Sequence, residues 1–245
     1  MDTTTSIREL FNERAQMYTF FSQVFLRELS AEALATLEQS DWRQPKGCNE
    51  QLGQGYAMLR RFFAFCESDI RTQLAVEYAR IFLSAGVYTQ KRLVAAPYES
   101  VFTSPEHLMM QEARDDVYRI FLRDGFMVNR SLHEPEDHLA FELEYLAALS
   151  LQSIDRFESG DSKAFNDLAK RQTSFITAHL LNWIPALRDA AARYAQSAFY
   201  PGMLLIVEGY LRQDIAYLEE LGAQSNEGGV SVTAAVPRPI KTTVV

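Results

Sequence analysis

The sequence has few of the residues that cross-link small folds covalently or through a metal ion. Its 245 residues include two cysteines, Cys48 and Cys66, and four histidines, and the cysteines form no C-x-x-C pair. This pattern predicts neither a disulfide framework nor a zinc site, and it favours a reducing compartment such as the cytoplasm. A chain of this length buries about 73% of its unfolded surface on folding, so it needs no such cross-link.

The sequence also lacks an excess of positive charge and a long apolar run. Lysine and arginine number 24 against 32 aspartates and glutamates, which gives a net charge of −8 and a pI near 5.1. Nucleic acid and anionic membranes attract the opposite sign, so we expect neither as a partner. The most apolar stretch, residues 203–207, ends at Glu208 and is too short to span a bilayer. The N-terminus shows no export signal, so we expect neither export nor stable membrane insertion.

Strand patterns and nucleotide-binding motifs are scarce as well. Alternating Val, Ile and Thr residues are nearly absent before the C-terminal segment, whereas helix-start and helix-end signals are frequent. We predict an all-α fold, with one helical bundle of about nine helices over residues 1–222 and a flexible tail over 223–245. Pro105 and Pro135 are predicted to open helices and Gly222 to end the last one. G-x-G-x-x-G, Walker and G-x-S-x-G motifs are absent, so no nucleotide or other cofactor is expected.

One segment, residues 84–103, has no helical period and yet is too apolar for a solvated linker. It ends in Ala96-Pro97-Tyr98-Glu99-Ser100-Val101-Phe102. Proline favours extended backbone there, and aromatic side chains alternate with a carboxylate and a hydroxyl. This pattern fits the rim of a binding groove, and it fits equally an apolar loop packed on the bundle.

A second segment, residues 133–145, concentrates acidic side chains. No lysine or arginine lies between positions 134 and 144, which hold five acids: Glu134, Glu136, Asp137, Glu142 and Glu144. One interpretation places these acids at the positive end of a helix dipole, with leucines facing the core. A second is a docking patch for a cationic partner, because carboxylates pair bidentately with guanidinium groups. A third is a metal site, since His138 and Glu142 share a helix face.

Four stretches together resemble the TorD-type redox-enzyme maturation chaperones, the family that includes TorD, DmsD and NarJ. Glu134-Pro135-Glu136-Asp137-His138 resembles the family's E-P-x-D-H signature. Tyr78-Ala79-Arg80-Ile81-Phe82 resembles its Y-x-x-L-F motif, with isoleucine in place of leucine. Residues 97–102 are similar to its proline-aromatic-E-S-V-aromatic loop, and His179, Trp183 and Pro185 to its late H-L-x-x-W-x-P stretch.

The resemblance implies a single all-α domain that acts as a chaperone and not as an enzyme. Such a chaperone binds the twin-arginine signal peptide, and also the body, of a molybdopterin oxidoreductase precursor in the cytoplasm. It holds the precursor back from export until the molybdopterin cofactor has been inserted. The expected partner is therefore a molybdoenzyme catalytic-subunit precursor, and the chaperone is expected to be a monomer or a homodimer.

A receptor for two guanidinium groups followed by an apolar segment needs carboxylates beside an apolar groove. The residues that we predict to form this signal-peptide site are Tyr98, Glu99, Ser100, Val101, Phe102, Glu134, Pro135, Asp137, His138 and Glu142. The carboxylates expected to meet the arginines are Glu134, Asp137 and Glu99. The side chains expected to form the groove wall are Tyr98, Val101 and Phe102. His138 is expected to hold Asp137 or Glu142 in place.

Most of the binding energy for such a peptide must come from apolar contacts, and two other hypotheses compete with the chaperone. Exposed ion pairs contribute about 0 to 1 kcal/mol each, whereas micromolar binding requires roughly 8 kcal/mol, so apolar burial must contribute most of the affinity. One alternative is a helical metal-dependent enzyme that uses His138 and Glu142 together with His133 or His179. The other is a helical adaptor in which these loops only pack, so that substitutions would cost stability without changing any binding.

Overall fold

The computed structural model describes residues 3–66, 69–83 and 95–226, and over these residues the chain is helical and forms no strand. The predicted all-α class is confirmed. A 3-10 turn at Arg130–Leu132 and a π-helical turn at Ile176–Leu180 accompany the α-helices. The α-helices are α1 (Thr3–Leu26), α2 (Ala31–Gln39), α3 (Glu50–Phe65), α4 (Ile70–Ile81), α5 (Glu99–Thr103), α6 (Glu112–Arg123), α7 (Leu139–Glu158), α8 (Ser162–Phe175), α9 (Ile184–Tyr194) and α10 (Phe199–Asn226).

The helices pack around one hydrophobic core. α1 lies along α7, and α10 contacts α3, α8 and α9. Phe11, Tyr18 and Phe25 of α1 are fully buried and follow one another at seven-residue intervals, which keeps them on one helix face. None of the helices in the described part of the chain has the length and hydrophobicity of a transmembrane span.

A buried ion pair joins three helices at the centre of the bundle. Arg14 of α1 is fully buried and donates to both carboxylate oxygens of Asp214 of α10, at 2.6 and 2.7 Å. The same guanidinium donates to Gln172 of α8 at 2.7 Å, and Tyr18 donates its hydroxyl hydrogen to Asp214 at 2.5 Å. Removal of one partner would strand a charge in the core, so the packing of these helices depends on the pair.

Two glycines allow α3 and α10 to approach closely. A Cβ atom added to Gly55 would lie 2.6 Å from Ile206 Cγ1 and 2.7 Å from Gly202 O, and one added to Gly209 would lie 2.5 Å from Leu52 N. Gly55 therefore serves helix packing, in agreement with the absence of a phosphate-binding motif around it.

Several predicted boundaries differ from the structure. α5 is a single turn within the segment predicted as non-helical, and it brings the helices of the described residues to ten instead of nine. Helix α6 begins at Glu112 and not at Pro105, because His107 and Met110 take left-handed conformations with φ of 54° and 61°. Helix α7 begins at Leu139 and not at Pro135, because His138 is its N-cap. Helix α10 continues past Gly222 to Asn226, and the rest of the predicted tail lies outside the described residues.

Candidate functional site

The loop before α5 is joined to the segment before α7 by backbone hydrogen bonds. Leu139 N donates to Pro97 O at 2.9 Å and Glu99 N donates to Asp137 O at 3.0 Å, on either side of an isolated antiparallel bridge between Tyr98 and His138. The two segments that the sequence singled out therefore form one site. This contact brings together residues that are 37 positions apart in the sequence, such as Ser100 and Asp137.

Asp137 is fully buried and caps α5 from outside that helix. Its Oδ2 accepts hydrogen bonds from Ser100 N at 2.9 Å and from Ser100 Oγ at 2.5 Å, while Tyr98, the N-cap residue of α5, provides no side-chain cap. Asp137 thus satisfies a backbone donor that a helix start leaves free. Its other oxygen, Oδ1, is buried without a hydrogen-bond partner. Burial raises the pKa of this carboxyl above its usual value.

His138 is a buried, neutral N-cap. Its Nδ1 accepts a hydrogen bond from Ala140 N at 3.1 Å, which requires an unprotonated nitrogen. The ring packs edge-on against Tyr98 with centroids 5.0 Å apart, and burial lowers the pKa of His138 from 6.5 to about 3. The only side-chain hydrogen bond that His138 makes within the described residues is this cap, so the expected hydrogen bond to Asp137 or Glu142 is not formed.

Glu142 belongs to a group of three buried carboxyl groups, hereafter the acid group, formed by Glu99, Asp137 and Glu142. Their exposed fractions are 2%, 0% and 0%. Both oxygens of Glu142 are buried without a well-formed hydrogen bond, although Trp183 and Glu99 are close enough to affect its charge. Burial, followed by the negative charges of Glu99 and Asp137, raises the pKa of Glu142 well above its usual value. Glu142 therefore keeps its proton at pH values where an exposed glutamate is ionised.

The π-helical turn after α8, with the residues that follow it, covers the acid group from solvent. Glu99 Oε1 accepts a hydrogen bond from Asn182 Nδ2 at 2.7 Å, and Glu99 Oε2 lies 3.0 Å from His179 Nδ1. Trp183 Nε1 donates to His179 O at 2.6 Å and fixes the π-helical turn to which His179 belongs. Asn182 is exposed and the His179 side chain is 14% exposed, so this thin cover consists of two side chains. π-Helical turns often mark functional sites, where they displace side chains from the regular helix positions.

The side chains predicted to form the groove wall pack mostly into the protein interior. Tyr98 and Val101 are buried at 9% and 4% exposure. Phe102 is half-buried and stacks on Trp183 with centroids 5.5 Å apart. These three side chains therefore hold the site together more than they line an open groove.

Of the three carboxylates assigned to the arginines, Glu134 has the most open position. Glu134 and Pro135 are half-exposed, and Glu134 Oε2 accepts a hydrogen bond from the Tyr98 hydroxyl at 2.5 Å. Asp137 and Glu99 lie behind the cover of the acid group. A cationic ligand would therefore meet Glu134 first and would reach the buried carboxyls only after the cover has opened.

The arrangement does not support the alternative of a metal-dependent enzyme. His138 uses its Nδ1 for the helix start, His133 is exposed, and His179 contacts Glu99 and not Glu142. Within the described ranges no group of three or more His, Cys, Asp or Glu side chains is placed to hold a metal ion. His138 is the extended N-cap that precedes α7, so it does not share a helix face with Glu142, and the two side chains contact different neighbours.

Sequence reasoning missed two contacts that shape the site. Asn182 carried no chemical signal of its own, and its hydrogen bond to Glu99 spans 83 positions. Arg114 Nε donates to Glu136 Oε2 at 2.7 Å, and its guanidinium lies 5.0 Å from the ring centroid of Tyr118. This pairing neutralises part of the acidic segment that seemed uncompensated in the sequence. A pairing over 22 positions leaves no local pattern from which it could have been found.

Comparison with known proteins adds a consistent set of likenesses. The family model described as nitrate reductase delta subunit matches residues 46–189, more than half of the chain. The chaperone protein TorD of Vibrio parahaemolyticus is 27% identical over 214 residues, which cover 85% of this chain and 96% of the relative. TorD of Vibrio cholerae is 27% identical over 222 residues, with coverage of 88% and 96%. TorD of Photobacterium profundum is 25% identical over 214 residues, with coverage of 85% and 95%.

Proposed function

The chain belongs to the TorD-type family of redox-enzyme maturation chaperones, a non-enzymatic family, and we propose that it binds the twin-arginine signal peptide of a molybdopterin oxidoreductase precursor. In this proposal it works in the cytoplasm, assists insertion of the cofactor and prevents premature export. The resemblance over four motifs and the burial of the acid group both support the proposal.

The acid group is the observation that carries the proposal. Three of its buried oxygens, Asp137 Oδ1 and both oxygens of Glu142, have no well-formed hydrogen bond. Buried polar atoms are normally paired, so unpaired ones at a covered site indicate a ligand that completes them. An arginine guanidinium fits this need, because it offers five N–H donors in one plane and carries a charge opposite to that of the Glu99 and Asp137 carboxylates.

The cover of the acid group suggests how the guanidinium enters. Asn182 and His179 each give Glu99 one hydrogen bond, and the entering guanidinium can replace both. Because the exchange keeps Glu99 paired, opening costs little in lost hydrogen bonds. Glu134 is half-exposed beside this entry and offers a carboxylate to the second arginine of the pair.

A neighbouring cleft does not suit the arginines. Between α6, α7 and α8 lies a cleft of about 330 Å³ that is lined by Arg123, Lys170 and Arg171 together with His179. Arg123 and Arg171 already pair with Asp124, so we expect the leader's arginines on the other side of His179, at the acid group.

The test is a calorimetric titration with a synthetic leader peptide from a molybdoenzyme of the same organism. Replacement of both arginines of the peptide by lysine keeps the charge but removes bidentate pairing, and we expect at least a tenfold weaker affinity. Glu134→Gln and Asp137→Asn are expected to weaken the native peptide, whereas Glu38→Gln, an exposed carboxyl on α2, serves as the matched control.

Two outcomes would contradict the proposal. Unchanged affinity in both Glu134→Gln and Asp137→Asn, with Asp137→Asn merely less stable in a thermal melt, would favour the adaptor hypothesis. A pull-down from the native cytoplasm that retains no molybdoenzyme precursor, although one is expressed there, would remove the proposed client.

A further inference from the structure

A surface next to the proposed site exposes apolar side chains that the bundle does not need. Leu108, Met109 and Met110 follow one another in the connection between α5 and α6, and their exposed fractions are 56%, 40% and 56%. Three consecutive exposed apolar residues of this size on an ordered loop are typical of an interaction surface. Methionine suits such a surface because its flexible, polarizable side chain adapts to different partners.

Hydrogen bonds hold this loop, residues 104–111, in one conformation. Leu108 N donates to Ser104 Oγ at 3.2 Å, and His107 Nδ1 lies 2.9 Å from Val101 O. At the other end Gln111 N donates to Ser100 Oγ at 3.2 Å. The loop therefore presents its apolar side chains from a fixed backbone.

The backbone of the loop takes left-handed conformations at two positions. His107 and Met110 have φ angles of 54° and 61°, and methionine, unlike glycine, asparagine, aspartate and histidine, rarely adopts this region. Such conformations are costly and occur where a site requires a particular presentation of side chains. Met110 is thus held exposed, although both its backbone and its apolar side chain would favour another arrangement.

The loop is continuous with the acid group through a single residue. Ser100 Oγ donates to Asp137 Oδ2 at 2.5 Å and accepts from Gln111 N at 3.2 Å. A second connection runs from α6 through Arg114 to Glu136. The loop therefore adjoins the acid group at Ser100.

Acidic side chains flank the apolar residues in the sequence. Glu106 and Glu112 are exposed, and residues 104–113 contain neither lysine nor arginine. An apolar surface with an acidic border complements an apolar segment that is flanked by cations.

We propose that Leu108, Met109 and Met110 form the docking surface for the apolar segment that follows the arginine pair of the leader. This inference rests on the proposed function, and it supplies the apolar contact area that Tyr98 and Val101, both buried, do not offer. In this arrangement the arginines of the leader bind at the acid group, and its apolar segment binds on the neighbouring loop.

The test combines two variants with two peptides. In the variant Leu108→Gln/Met109→Gln/Met110→Asn the apolar surface is removed, and asparagine tolerates the left-handed φ at position 110, so the fold is expected to persist. The control is Leu151→Gln, an apolar residue of 49% exposure that lies about 18 Å along α7 from Leu139. The peptides are the full leader and a short peptide that contains the arginines but lacks the apolar segment.

We expect the triple variant to bind the full leader at least tenfold more weakly than the wild type and the short peptide equally well. The Leu151→Gln control is expected to bind both peptides like the wild type. Unchanged affinity of the triple variant for the full leader would overturn the docking surface while leaving the proposed function intact. Absence of any leader binding by the wild-type protein would overturn both.

A second measurement distinguishes a leader from a second copy of the chain as the occupant. Sedimentation of the wild type and of the triple variant is expected to give the same oligomeric state. A dimer that dissociates in the triple variant, combined with unchanged leader affinity, would assign the loop to self-association and overturn the inference.

Discussion

Substitution of Glu142 by glutamine tests whether the acid group holds a proton. Glu142 is fully buried, its two oxygens lack well-formed hydrogen bonds, and the carboxylates of Glu99 and Asp137 lie nearby. Its pKa is raised well above the usual 4.5, first by burial and then by these charges. Glutamine has nearly the shape of the protonated carboxyl and cannot ionise, so it copies the native state and removes only the titration.

The sign of the pH dependence follows from proton binding. Above a pH of about 4.5 the unfolded chain has lost the Glu142 proton, while the native protein still holds it, so the free energy of unfolding falls as pH rises. The slope approaches about 1.4 kcal/mol per pH unit until the raised native pKa is reached. Glu142→Gln lacks this slope, and its stability relative to the wild type therefore rises by about 1.4 kcal/mol per pH unit. In a domain of this size that equals roughly 3 to 6 °C in the melting temperature.

The assay is urea unfolding of both proteins at several pH values from 5 to 7, with the difference in unfolding free energy plotted against pH. Asp155→Asn, on the exposed side of the same helix, makes the same change of charge in the unfolded chain and serves as the control. A difference curve for Glu142→Gln that runs flat, or that parallels the Asp155→Asn curve, would refute a protonated Glu142.

Three further predictions follow from single contacts. Arg14→Met is expected to lower the free energy of unfolding in urea by about 3 to 5 kcal/mol, because it strands a buried charge on Asp214. The double variant Arg14→Met/Asp214→Leu is expected to recover more than half of this loss. No recovery in the double variant would contradict the ion-pair argument. Ser100→Ala is expected to lower the free energy of unfolding in urea by about 1 to 3 kcal/mol, since Asp137 loses a buried donor. A loss below about 0.5 kcal/mol would contradict this expectation. His138→Asn keeps an N-cap acceptor but removes a group that is neutral when folded and charged when unfolded between pH of about 3 and 6.5. The wild type gains stability as pH rises through this window, by up to about 1.4 kcal/mol per unit, and the variant is expected to lack that gain in urea unfolding from pH 4 to 6.

The helical class and many helix ends could be predicted because they depend on neighbours in the sequence. Ser30, Asn49 and Asp161 accept hydrogen bonds from backbone groups three residues ahead, so the caps are visible as local patterns. The predictions at Pro105 and Pro135 were wrong for a related reason. Both prolines permit a helix start, but the backbone at His107 and the cap at His138 decide where regular hydrogen bonding begins.

The sequence indicated where the candidate site lies, and the fold decided which of its carboxyl groups are buried. Acidic and aromatic residues in two segments, together with the family motifs, were enough to single out Glu99, Asp137 and Glu142. Their assignment to a signal peptide stays a prediction. That these carboxyls are buried, with Glu142 protonated, depends on packing that no local pattern records.

The sequence by itself determined the all-α class, the family and the residue types at the site, because periodicity, caps and motifs are properties of neighbouring residues. Only the tertiary structure decided which of those residues face one another. Asp137 caps α5 across 37 positions, Asn182 covers Glu99 across 83, and Arg14 meets Asp214 across 200. Burial and pairing set the charge of a side chain, and both are established only when distant segments have packed together.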